Sequence, residues 1–140
     1  MTSSVTSSTV SRRRICSTDR LSSASTRAFP LAAINYAASL VDLERFEEAK
    51  SLLSKATPVA RRTLGEDHIQ TLELRWAHAH ALYADPDATL DDLHEAVTSL
   101  EAAGRIARRV LGGAHPITVG LERALRLAQA AHRLSALRSA

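Results

Sequence analysis

The stretch Leu64-Gly65-Glu66-Asp67-His68-Ile69-Gln70-Thr71 returns 47 residues later as Leu111-Gly112-Gly113-Ala114-His115-Pro116-Ile117-Thr118. Each copy follows two arginines, Arg61-Arg62 in the first case and Arg108-Arg109 in the second. The likeness extends well beyond the phrase: residues 43–84 and 90–131 share 16 identities in 42 positions. Among the pairs are Ala49/Ala96, Leu53/Leu100, Ala56/Ala103, His68/His115 and Thr71/Thr118. A phrase that recurs at a fixed period marks the junction between repeated units, and a histidine inside it belongs to the architecture before it belongs to any site.

Periodicity on both sides of the junctions is helical. Upstream, Ala33, Tyr36, Ala37 and Leu40 recur at i, i+3, i+4 and i+7, which predicts a helix from about Ala32 to Leu43 with Pro30 at its entry. A second helix starts near Arg45 on the stripe Phe46, Ala49, Leu53, Ala56, Ala60 and Leu64. Pro58 lacks a backbone donor and crowds the preceding turn, so a kink or short break is expected near Thr57. Gly65 then stands where helices end in the left-handed conformation. A third helix is expected over Gln70 to Ala84, bearing Leu72, Trp76, Ala79, Leu82 and Tyr83. Asp85-Pro86-Asp87 stops it. Thr89 or Asp91 caps the fourth, whose stripe runs Leu93, Ala96, Leu100, Ala103, Ala107 and Leu111. Pro116 opens a fifth helix to about Leu134, with the last residues frayed. The first and third helices align best at a shift of 42, so a five-residue excess must lie in the turn Ala84–Asp92.

Composition agrees with this reading. The chain has 140 residues, 45% hydrophobic but only 4% aromatic, so its core is built of Ala and Leu, the strongest helix formers. Five Gly and four Pro leave little room for a turn-rich β architecture. No run of about 20 apolar residues suggests a membrane span. A lone Cys16 excludes an internal disulfide framework and a cysteine-built zinc site.

The net charge of +3 is unevenly spread. Residues 1–28 carry five arginines against Asp19, and the remainder is close to neutral, so the body lacks the basic surplus of a nucleic-acid-binding domain. Half of that arm is Ser or Thr, too polar to offset the entropy of ordering, and it is expected to be disordered. An Arg-rich, Ser-rich, acid-poor leader also fits an organelle transit peptide. A cytoplasmic location is therefore expected, or a mitochondrion or plastid if the arm is a targeting signal. Residues 29–140 form the expected helical domain.

Ala37, followed by Phe46-Glu47-Glu48-Ala49, Leu53 and Ala56, resembles the tetratricopeptide pattern of small and aromatic positions. The phrase Arg-Arg-x-Leu-Gly-x-x-His-(Pro)-x-Thr is similar to kinesin light chain repeats, which are longer than the plain form. The resemblance covers about Ala32–Leu134, two full repeats and the first helix of a third. Asn35 matches the family's first-helix asparagine, whereas Ala77 and Ala124 do not, and Ile69 replaces the junction proline. No heptad coiled coil precedes the repeats, so pairing with a motor heavy chain is not implied. The fold expected is all-α: antiparallel helix-hairpin repeats, a tetratricopeptide-like solenoid of about five helices.

Candidate chemistry is sparse. His78 and His80 are two apart on a helix and face different ways, whereas zinc-binding helices use i, i+4 spacing. His94 and His132 stand alone. Phosphate-cradling glycine loops, nucleophile elbows and paired catalytic carboxylates are missing, so neither an enzyme nor a cofactor is expected. Trp76, His80 and Tyr83, at i, i+4 and i+7, share one helix face. The resemblance implies that this face lines a concave groove for extended peptides, flanked by Asn35, Ala38 and Val41 before it and Arg123 and Leu127 after it. Aromatics beside Arg are frequent anchors at interfaces, while Trp76 and Tyr83 also suit packing between repeats. Gly65, His68 and Thr71, with Gly112, His115 and Thr118, are expected to be structural junction residues. The function expected is a non-catalytic scaffold for a protein or peptide, with self-stacking through the last helix as a further expectation. The rival is an organelle-targeted or nucleic-acid-associated helical protein led by its basic arm.

Overall fold

The helical stripes fold into antiparallel hairpins, because none of them can cover its apolar face alone. A computed structural model describes residues 22–139, with side chains from residue 29. Five helices follow in order: α1 (Ser22–Asp42), α2 (Phe46–Thr63), α3 (Ile69–Ala84), α4 (Leu90–Leu111) and α5 (Pro116–Ser139). No strand occurs among the described residues, and the fold is all-α hairpin repeat. The expected disorder and targeting role of the arm fall almost wholly on residues outside the described range.

Packing follows a simple rule. Each helix packs on the next, and α1, α3 and α5 also touch in succession, whereas the backbones of α2 and α4 stay apart. Two cores result. One joins Ala37, Leu40, Leu53, Ala56 and Ala60 to Leu74 and Ala81 of α3. The other joins Leu72, Ala79 and Leu82 of α3 to Leu100, Ala103, Leu121 and Ala128. Helix α3 is thus buried on two sides, which is why it carries two apolar rows, Leu72, Ala79 and Leu82 on one and Leu74 and Ala81 on the other. Leu53, Leu72, Leu74, Leu100 and Leu121 are fully buried, each contributing on the order of 2 kcal/mol relative to exposure.

Three local expectations are corrected. Pro30 does not open α1 but lies inside it, fully buried, and the helix begins at Ser22 and takes in the end of the arm. No break occurs at Thr57: α2 passes through Pro58 unbroken. The Thr57 hydroxyl donates to the Leu53 carbonyl at 2.8 Å. Helix α5 does not fray after Leu134 but continues to Ser139. Burial outweighs the local cost of proline in the first two cases, that of Pro30 itself in one and that of Ala56, Thr57 and Ala60 beside the exposed Pro58 in the other.

Both junctions use one local device. Gly65 and Gly112 have φ of 100° and 93°, a region L side chains avoid, and terminate α2 and α4. Three residues on, a histidine begins the next helix: His68 Nδ1 accepts from the Gln70 N–H at 3.0 Å, and His115 Nδ1 from the Ile117 N–H at 3.1 Å. These imidazoles occupy the capping place usually held by Ser, Thr or Asp.

The five-residue excess falls within Ala84–Asp92. The turn Leu43–Arg45 has three residues and turns through Glu44 at φ 61°. Its counterpart Asp85–Thr89 has five, and α4 then starts three residues earlier in register than α2. A capping box, Thr89 with Asp92, starts that helix. The Asp85 side chain accepts from the Asp87 N–H at 2.9 Å and from Lys50 Nζ of α2 at 3.0 Å.

Candidate partner-binding surface

Helices α1, α3 and α5 lie side by side and form one face of the molecule. Spacing by three and four residues puts Trp76, His80 and Tyr83 along the exposed side of α3, and His80 meets Tyr83 edge-on at 5.4 Å between ring centroids. Trp76 does more than face outward. A Cβ built on Gly120 of α5 would lie 2.1 Å from the indole Cη2, so the ring rests directly on α5 backbone. Packing and surface roles, weighed as alternatives on sequence, coexist in this one half-buried side chain.

Two adjoining grooves meet at the Trp76–Tyr83 ridge. The first, about 550 Å³, is lined by Leu31, Ile34 and Asn35 of α1 and Glu73, Trp76, Ala77, His80 and Tyr83 of α3. The second, about 400 Å³, lies between Trp76 and Tyr83 and the α5 residues Pro116, Val119, Gly120, Arg123, Ala124 and Leu127. All six residues expected on a concave face, Asn35, Trp76, His80, Tyr83, Arg123 and Leu127, are therefore brought together. Ala38 and Val41 line neither groove. Leu31, Ile34, Glu73 and Val119 were not singled out by spacing, although Leu31 and Ile34 stand at the α1 register positions of Glu73 and Trp76.

The surface is mostly apolar, with few charges. Leu127 is 53% exposed and Leu31 51%, and contiguous exposed apolar side chains mark interaction sites. Burial lowers the His80 pKa while Asp42 partly opposes it, and burial raises that of Tyr83. Both rings are thereby favoured in their neutral forms near pH 7, suited to hydrogen bonding and stacking. Arg123 has no ion-pair partner among the described residues.

The remaining histidines sort differently. His94 and His132, isolated in sequence, approach to 6.1 Å between ring centroids across α4 and α5. Among the described residues no group of three or more His, Cys, Asp or Glu is arranged to hold a metal ion, and no helix is long and apolar enough to cross a membrane.

Comparison with known proteins gives one family match. Residues 32–70, the first hairpin and its junction, match the tetratricopeptide repeat family. Neither a curated protein nor a solved structure matches the chain. On a chain whose second hairpin repeats the first, this match supports a tetratricopeptide repeat protein.

Proposed function

We propose that this protein is a non-catalytic scaffold that binds a peptide segment of a partner protein along the α1–α3–α5 face. The carrying observation is that Asn35, Trp76, His80, Tyr83, Arg123 and Leu127 line two adjoining grooves sharing the Trp76–Tyr83 ridge. Tetratricopeptide repeats generally mediate protein–protein contacts, and the family match over residues 32–70 supports that class of function here. The junction phrase, with its Arg pair, Gly, His and Thr, supports placing the repeats with the kinesin light chain-like type. Stacking on a second copy through α5 draws less support. Leu72, Ala79 and Leu82, by which α3 joins the core with α4, correspond on α5 to Val119, Arg126 and Gln129, a far more polar row.

The test is a peptide-display selection on the full chain, repeated with Leu127→Asp and with His80→Ala. Both side chains are exposed, so both variants should melt like the wild type. Peptides enriched on the wild type should lose binding to Leu127→Asp by about tenfold or more, as expected for an interface anchor. Equal capture by all three proteins would remove the grooves from the binding reaction.

A further inference from the structure

The opposite side of α3 carries a second cleft. Because the backbones of α2 and α4 stay apart, a space of about 510 Å³ opens between them, floored by Arg75 and His78 of α3. Its walls carry Arg61, Ser54, Thr98 and Ser99, polar groups that no packing argument requires.

Arg75 is the anomaly. Its side chain is only 12% exposed, yet it has one hydrogen-bond acceptor among the described residues, Glu66 Oε1 at 3.2 Å from Nη1. Burial lowers its pKa, only partly opposed by Glu66, so holding this cation here works against its hydration. Its other guanidinium nitrogens remain reachable by solvent, since Thr118 Oγ1 is the sole fully buried, unpartnered side-chain polar atom among the described residues. Arg61 grips the other oxygen of the same carboxylate, Nε to Glu66 Oε2 at 2.6 Å. One carboxylate thus anchors two guanidiniums at the cleft, leaving N–H groups of both without a protein acceptor. The second repeat does not preserve this arrangement: Glu122 stands in the place of Arg75 and Gly113 in that of Glu66.

We propose that this cleft is a binding site for a phosphomonoester dianion, held by Arg61 and Arg75 with Glu66 as the positioning residue. Two planar forks present more donors than a single carboxylate ligand accepts, whereas a phosphate offers three oxygens. The hydroxyls of Thr98 and Ser99 stand ready on the α4 wall. Glu95 lines the same cleft beside His78 and repels anions, which favours the Arg61–Arg75 end for the phosphate. This site is independent of the α1–α3–α5 face, because α3 turns opposite sides to the two.

The test is calorimetric titration of the full chain with inorganic phosphate and, separately, with O-phosphoserine, at about pH 7.5 where both are largely dianionic. Sodium chloride at matched ionic strength sets the baseline. Saturable binding is expected, and Arg61→Gln, a change at an exposed side chain, should weaken it about tenfold, the effect of losing a charge-assisted hydrogen bond. Arg75→Gln should abolish it, and Leu127→Asp should leave it unchanged. A response to phosphoserine alone would identify a phosphorylated side chain as the source, and an equal response to both a free or terminal phosphate. No saturable heat with either ligand, a chloride titration that reproduces the signal, or wild-type affinity in Arg61→Gln would overturn the proposal.

Discussion

The two repeats solve the same folding problem with different side chains. At the first junction Glu66 in the turn bridges Arg61 and Arg75; at the second, Arg108 reaches α5 directly, Nη2 to Glu122 at 2.7 Å. The acid has moved from turn to helix. Gly113 accompanies that move, since a Cβ there would stand 2.7 Å from Arg108 Nη1. A similar exchange separates the helix pairs: Ile34 and Glu73 in one register become Trp76 and Gly120 in the next. Each contact is thus filled by a different set of side chains in the two repeats. Backbone geometry is the repeated quantity, and side chains are complementary within each unit.

The largest expected break in that comparison is at Lys50, whose counterpart is Val97. Lys50 Nζ lies 2.9 Å from Glu47, 3.0 Å from Asp85 and 3.7 Å from Asp92, tying the long second turn to α2. Burial opposes its charge, but bonds to Glu47 and Asp85 hold the ammonium well above the usual lysine range. Lys50→Met should cost about 3 kcal/mol by urea unfolding, because Asp85 is left nearly buried and unpaired. Asp85→Asn in the same background should recover part of the loss. An unchanged urea midpoint in Lys50→Met would show that the turn stands without the pair. Acid sharpens the point. Burial raises the Asp85 pKa, but the Asp87 N–H and Lys50 lower it more, so the folded value lies below the unfolded one. The contribution is present above about pH 4 and lost as pH falls through the folded value, and the Asp85→Asn variant should lack that part of the acid transition.

A smaller break is expected at the Trp76–Gly120 contact. Gly120→Ala should cost about 2 kcal/mol, as overpacking against helix backbone does, and should shift the Trp76 emission. Glu73→Ala, at the matching register position of α3, should stay within about 0.5 kcal/mol. Adding Trp76→Leu to Gly120→Ala should cost less than the sum, since the two residues touch. Strict additivity would mean that the ring does not rest on α5.

Smallest is the difference between the buried threonines. The Thr71 hydroxyl donates to the Ala60 carbonyl at 3.4 Å, whereas that of Thr118 has no partner among the described residues. Thr71→Val should cost about 1 kcal/mol or less, and Thr118→Val should be neutral or stabilising, because it removes an unsatisfied group. Thermal melts of the two variants should move apart, and equal shifts would contradict the hydrogen-bond difference.

Much of the fold was legible in the chain. Helices, stops and hairpin order follow from stripes at three and four residues, and the 47-residue recurrence placed Gly65, His68, Gly112 and His115. The groove residues were legible to the extent that i, i+4, i+7 spacing groups Trp76, His80 and Tyr83. Proline misled twice, at Pro30 and Pro58, because propensity weighs the lost hydrogen bond and not the tertiary burial that offsets it. Contacts between helices were out of reach: His94 and His132 looked solitary, and nothing local linked Lys50 to Asp85 or Trp76 to Gly120.

By itself, the amino-acid sequence determined the all-α class, the repeat, the junction chemistry and the faces of each helix. These depend on neighbours within about four residues and on one fixed period. Only the tertiary structure decided that α2 and α4 splay apart, that Trp76 lies against Gly120, and that two arginines share Glu66. Such contacts join residues 5 to 44 positions apart in sequence, and their partners are set by how the hairpins stack, a property of burial summed over the whole core.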